Sequence, residues 1–263
     1  MKRSLRNLSI SSVVAVVGVM GFWIGMPALM VERAMSQVSQ QEELAEAERL
    51  NRQVFELYQQ GRYAEAIPLA EKALAIRKNV LGGNHPDVAS SMNALAVLYQ
   101  SQGRYTEAEP FHQESLAIRK EQLGDNHPDV AISLNNLAGL YHSQGRYTEA
   151  EPLFQESLAI SKEQLGDNHP NVATSLNNLA GLYESQGRYT EAEPLYQQSL
   201  AIFKELLGDN HPNVASSLNN LAGLYESQGR YTEAEPLYQQ SLAIFKELLG
   251  DNHPNVASSL NNL

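Results

Sequence analysis

Five histidines stand at a fixed interval: His85, His127, His169, His211 and His253, each 42 residues from the next and each followed by proline. Imidazoles in register could form a metal ladder. Each is a whole repeat from its neighbour, however, so no two converge on one ion. A residue before proline is held extended, and proline presets a first helical turn, so these histidines read as helix-start signals. His112 and His142 fall outside that register; His112 takes the place held by Phe154, Tyr196 and Tyr238 and reads as a core substitution. Glu149 and Glu151 of "TEAE" resemble an acid–base pair. They belong to the first turn of a helix, where a Thr148-x-x-Glu151 capping box and the helix dipole account for them. The chain shows no Ser-His-Asp order, phosphate loop or dinucleotide fingerprint. No catalytic residue, metal ligand or cofactor is therefore assigned, and the sequence does not read as an enzyme.

Asparagines carry the stronger signal. Asn93, Asn135, Asn177, Asn219 and Asn261 recur in register, and Asn136, Asn178 and Asn220 follow three of them directly. An asparagine amide both donates and accepts, which suits it to a peptide backbone in either direction. Positions 132, 135, 139 and 142 share a helical stripe that faces away from Leu134, Leu137 and Tyr141. Gly139, Gly181 and Gly223, four residues past the first asparagines, leave room for a close approach. The alternative is that the asparagine rows bond to adjacent turns and recur only because the repeat was copied.

The elements that position these rows follow from one unit, "HPDVAISLNNLAGLYHSQGRYTEAEPLFQESLAISKEQLGDN", which starts at His127. Val130, Leu134, Leu137, Ala138 and Tyr141 fall on one face of a first helix; "SQGR" ends it, with Gly145 free to take positive φ. Leu153, Phe154, Leu158 and Ile160 are apolar positions of a second helix, with Pro152 in its first turn and Gly166 as its stop. A two-helix unit cannot bury its apolar face alone, so stacked copies form a solenoid. Repeats are expected at about 44–84, 85–126, 127–168, 169–210 and 211–252, with a partial copy at 253–263; the segment 37–43 is expected as a polar connector. Residues 175–221 recur unchanged as 217–263. The last letters fall inside a first helix, so the chain is expected to be either a fragment of something longer or the product of a repeat-rich gene cut short.

The 263 residues carry 43% apolar and 19% charged side chains, enough for a core. A net charge of −11 argues against nucleic acid or an anionic membrane surface as the main partner. With no cysteine, thiolate chemistry and disulfides are excluded. At the start, Lys2, Arg3 and Arg6 precede an uncharged run from Leu8 to Val31, and Ala34-Met35-Ser36 has the form of a signal-peptidase site. Residues 1–36 are thus expected to be a signal peptide or an N-terminal membrane anchor, with the rest of the chain exported to the periplasmic or extracellular side.

The spacing of Leu134, Leu137, Ala138, Tyr141, Gly145, Ala150 and Phe154 resembles the tetratricopeptide repeat, with Ser157 where that family prefers alanine. The period of 42 with "LGDNHPDVA" is similar to the kinesin-light-chain type of array. The resemblance covers about residues 44–263 and lacks the light chain's motor-binding coiled coil. It implies an all-α, right-handed superhelix of antiparallel helix pairs, with the first asparagines lining a concave groove. Grooves that clamp a terminal carboxylate carry Lys and Arg, which the matching first-helix positions lack. Arg77 and Arg119 follow "LAI", but Ser161, Phe203 and Phe245 replace them later, so the groove is expected to turn neutral to acidic along the chain. The expected function is a protein-interaction scaffold binding a polar or weakly basic peptide or protein segment, with no small-molecule substrate. The alternatives are the recognition array of a larger protease-like or nucleotide-binding effector, or a passive spacer.

Overall fold

The computed structural model describes residues 28–251 and 253–262, and every regular element in them is helical. Two compact units divide the chain, residues 1–83 and 84–263.

In the first unit, α1 (Ala28–Gln59) and α2 (Tyr63–Leu81) pack as a hairpin around Ala47, Leu50 and Ala73, with Leu69 and Ile76 against them. The segment 37–43 is not a separate connector. It belongs to α1, because "QVSQQEE" has no glycine or proline and consists largely of residues that tolerate or favour a helix. The expected cleavage motif 34–36 also lies within α1, whereas the apolar run up to residue 27 is outside the described residues. No described helix is long and apolar enough to cross a membrane.

The second unit alternates two helix types. First helices are α3 (Pro86–Ser101), α5 (Pro128–Ser143), α7 (Pro170–Ser185) and α9 (Pro212–Ser227); second helices are α4 (Tyr105–Leu123), α6 (Tyr147–Leu165), α8 (Tyr189–Leu207) and α10 (Tyr231–Leu249); α11 (Pro254–Asn261) is a further first helix. Each pair packs closely, and each second helix packs on the first helix of the next repeat. First helices of neighbouring repeats also touch (α3 with α5, α5 with α7, α7 with α9), which puts them on the inner side of the stack. The unit is an α-solenoid, and its core runs continuously between repeats: Leu176, Phe203, Leu218 and Phe245 belong to one cluster.

The histidines sit at the start of first helices, and the ring does more than precede a proline. His127 is extended (φ −76°, ψ 142°), and its Nδ1 accepts the Asp129 backbone N–H at 3.1 Å, capping α5. His85, His169 and His211 do the same for α3, α7 and α9. Gly145 takes φ 73° between the helices, as the sequence predicts, and Gly166 ends α6 at φ 83°, its N–H bonded to Lys162 O.

The second helices start differently from the expectation. Tyr147 is already helical, the N-cap is Arg146, and no side chain caps it, so Thr148-x-x-Glu151 is not a capping box. Pro152 consequently lies in the second turn, not the first. The glutamates are instead engaged by arginines. Arg146 donates to Glu149 at 2.7 Å and to Glu109 of the preceding repeat at 2.8 Å, while its guanidinium stacks 3.9 Å from the Tyr141 ring centre. Arg188 bridges Glu191 and Glu151 in the same way, and Arg230 bridges Glu233 and Glu193. These bonds hold the Glu149, Glu191 and Glu233 carboxyls below the usual range.

Candidate functional site

The inner face is built from one stripe of each first helix. Its asparagines are joined across repeats rather than within a turn. Asn136 Nδ2 donates to Asn93 Oδ1 at 3.0 Å, Asn178 to Asn135 at 3.2 Å, Asn220 to Asn177 at 3.0 Å and Asn262 to Asn219 at 3.0 Å. The second asparagine of each repeat therefore reaches back to the first of the repeat before. All seven from Asn93 to Asn220 are half-buried, while Asn261 is exposed. The ladder fixes the amide planes: Oδ1 of Asn135, Asn177 and Asn219 points at the next repeat, and Nδ2 of each has no partner among the described residues. A row of half-buried, oriented N–H donors, one per repeat, can bind carbonyl oxygens.

Beside the asparagines lie the glycines. A Cβ at Gly139 would meet nothing within 4 Å, whereas at Gly181 it would lie 3.3 Å from the Tyr196 hydroxyl and at Gly223 3.5 Å from that of Tyr238. Glycine thus lets a tyrosine from the second helix reach the inner face. Tyr196 donates to Glu184 at 2.8 Å and Tyr238 to Glu226 at 2.7 Å. Serine side chains extend this line between repeats: Gln100 donates to Ser143, His142 Nε2 meets Ser185 Oγ at 2.8 Å, and Ser227 donates to Glu184. Burial pushes the Glu184 carboxyl up and the His142 imidazole down.

His112 is a core residue, as expected from its register. Its ring is 1% exposed, its Nδ1 bonds to Asn93 Oδ1 at 3.0 Å, and burial lowers its pKa to about 4. Arg119 needs a correction. Like Ser161, Phe203 and Phe245 it is buried, so this substitution series changes the core and does not set the groove's charge. The Arg119 guanidinium donates to Ser133 Oγ at 2.8 Å, Ser90 Oγ at 3.0 Å and the Asp129 carbonyl at 3.2 Å. Ser157, where the resemblance leads one to expect alanine, donates to the Ala131 carbonyl at 2.7 Å; Ser115, Ser199 and Ser241 repeat that bond.

Among the described residues no group of three or more His, Asp or Glu side chains could hold a metal ion. An open cleft lies at the loop of Gly124, Asp125, Asn126 and His127, and none of the ladder asparagines lines it.

Helical hairpins stacked at this period, with glycine-closed turns and a polar inner face, define a tetratricopeptide array. The chain belongs to the tetratricopeptide repeat family, whose model matches residues 57–121, 93–163, 129–205, 172–247 and 213–263. Its solved neighbours include a putative kinesin light chain from Podosopora anserina with nearly identical TPR-like repeats, which is 31% identical (TM-score 0.59, covering 77% of this chain and 96% of that one). BtubC (BKLC) from P. vanneervenii is 23% identical with a TM-score of 0.66, covering 93% of this chain and 94% of that one. PilF of Pseudomonas aeruginosa is 21% identical with a TM-score of 0.53, covering 84% and 90%. These last two share the fold. Among curated proteins no sequence matches this chain. Tetratricopeptide repeats serve as protein-interaction scaffolds, and protein partners are the class that follows for this chain.

Proposed function

We propose that the chain is a non-catalytic scaffold that holds an extended peptide or protein segment along the inner face of its first helices. The observation that carries this reading is the orientation of Asn135, Asn177 and Asn219, whose Nδ2 groups are uncommitted while their Oδ1 atoms are fixed by Asn178, Asn220 and Asn262. Donors already held in place lose little freedom on binding. The bound groups are carbonyl oxygens, a narrower prediction than an amide that reads the backbone in both directions.

The ladder also supplies the rival reading: asparagines that couple repeats need no ligand. The two separate by mutation, starting from a peptide hit in an array screen. Changing Asn135, Asn177 and Asn219 together to alanine removes donors and ladder acceptors. Changing Asn136, Asn178 and Asn220 removes only ladder donors. Scaffold function predicts that the first set weakens peptide capture about ten-fold to a thousand-fold, at about 0.5–1.5 kcal/mol per bond. The second set should weaken it far less. Equal losses in both sets assign the asparagines to coupling alone.

We also propose export, on Lys2, Arg3, Arg6 and the uncharged run behind them. Residues 1–40 fused to a reporter active only outside the cytoplasm should give signal, and a silent fusion excludes it.

A further inference from the structure

We propose that the inner face between α7 and α9 takes one lysine or arginine side chain of the bound segment, seated over Gly223 between Glu184 and Glu226. This rests on the scaffold reading above and specifies the ligand's chemistry.

Several atoms from four helices meet there. A Cβ on Gly223 would lie 3.5 Å from the Tyr238 hydroxyl and 3.9 Å from Glu184 Oε1, so the missing side chain opens a notch walled by both. The Tyr238 hydroxyl is committed to Glu226 Oε2 at 2.7 Å. On the other side Glu184 accepts from the Tyr196 hydroxyl at 2.8 Å and the Ser227 hydroxyl at 3.4 Å. Burial raises the pKa of the Tyr238 phenol, and the hydrogen bond to Glu226 with the nearby charges of Glu226 and Glu184 raises it further.

The contrast with the rest of the chain gives these charges their meaning. Glu107, Glu149, Glu191 and Glu233 are each bound by an arginine of their own helix start. Glu184 is oriented by neutral hydroxyls, and no cation neutralises it among the described residues. A half-buried carboxylate without a counter-ion is under-stabilised, and a ligand cation is the complement that corrects it. The same two charges repel an acidic segment. One repeat earlier the arrangement is absent: His142 stands in place of the first carboxylate and Phe154 has no hydroxyl. Among the described residues the cation position is therefore confined to one step of the array, and it sets the register of a peptide whose backbone is held by the asparagine row.

The test uses the full chain and three labelled eleven-residue probes, each built from Ser, Asn and Gly with a central Lys, Gln or Glu, read by fluorescence anisotropy. The Lys probe should bind about ten-fold more tightly than the Gln probe, and the Glu probe more weakly still. In a Glu184→Gln/Glu226→Gln protein the Lys and Gln probes should bind alike, at the affinity of the Gln probe for the unaltered chain. Gly223→Leu should fill the notch and remove the Lys preference, with circular dichroism confirming the fold. Binding of all probes without preference, or a preference that survives the double substitution, overturns the cation site and leaves the scaffold reading standing. Failure of every probe to bind overturns both.

Discussion

Lowering the pH from 7.5 to 5 should loosen α3 and α4 through one side chain, His112. Asn93 Oδ1 already accepts from Asn136 Nδ2, so it is an oxygen facing His112, and Nδ1 of the ring carries the proton that meets it at 3.0 Å. Nε2 is then the bare nitrogen, and it is buried without a partner. A second proton would have to sit on Nε2, where nothing accepts it. Burial accordingly holds the folded pKa at about 4, against 6.5 for a free imidazole. The unfolded chain takes up the proton first as pH falls. The stability is fully present above pH 6.5 and is lost progressively down to pH 4. The full loss is about 3 kcal/mol, of which about 2 kcal/mol is gone by pH 5. His112→Phe installs the residue found at Phe154. It removes one neutral hydrogen bond, about 1 kcal/mol at neutral pH, and with it the titration. Amide exchange in α4 reads the local opening free energy, which matters in a solenoid that need not open as one body. Glutamates held by arginines add acid sensitivity of their own, but equally in both proteins. Between pH 7.5 and 5 the unaltered α4 should lose about 2 kcal/mol more protection than the variant. Equal losses refute the reasoning.

Other substitutions probe the frame. Gly166→Ala should cost about 1–3 kcal/mol in thermal denaturation, because φ 83° with ψ 160° suits glycine alone while the space around it is open; an unchanged melting temperature contradicts this. Arg188→Lys should lower the melting temperature, because an ammonium cannot bridge Glu151 and Glu191 while stacking on Tyr183. A variant as stable as the parent would show that the bridge between repeats adds nothing. Replacing Asn136, Asn178 and Asn220 together by alanine should cost at most about 2 kcal/mol, since three ladder bonds are lost while alanine favours each helix. A loss well beyond that in urea titration would mean the ladder carries more than neutral hydrogen bonds.

Much of the fold is legible in one repeat. Proline and glycine mark where each first helix begins and where turns need positive φ, and the apolar spacing of Val130, Leu134, Leu137 and Tyr141 marks its buried face. The failures share a cause. Local rules assign Thr148 and Glu151 to a cap because the partner of Glu151 lies far along the chain: it meets Arg188 of the next repeat. The same blindness hides Arg119, which reads as a groove cation from its position after "LAI" and is buried by contacts with Ser90, Ser133 and Asp129 on either side of it. The asparagine ladder was accessible in principle. Two adjacent asparagines recurring every 42 residues place the second 43 positions after the preceding first, which is the spacing of every bond in the ladder. A single unit cannot show this, because the partner of each asparagine belongs to the neighbouring copy.

The central claim is that a peptide carbonyl row lies against the free amide nitrogens of the first asparagines. Titrating an array-selected peptide into isotope-labelled protein and following side-chain amide resonances tests it directly. The account predicts saturable shifts at the Nδ2 protons of Asn135, Asn177 and Asn219, larger than those at Asn136, Asn178 and Asn220, whose donors are already taken by the ladder. Shifts confined to the 124–127 loop or the Arg146–Glu149 side of the helices, with the first asparagines unmoved, would contradict it.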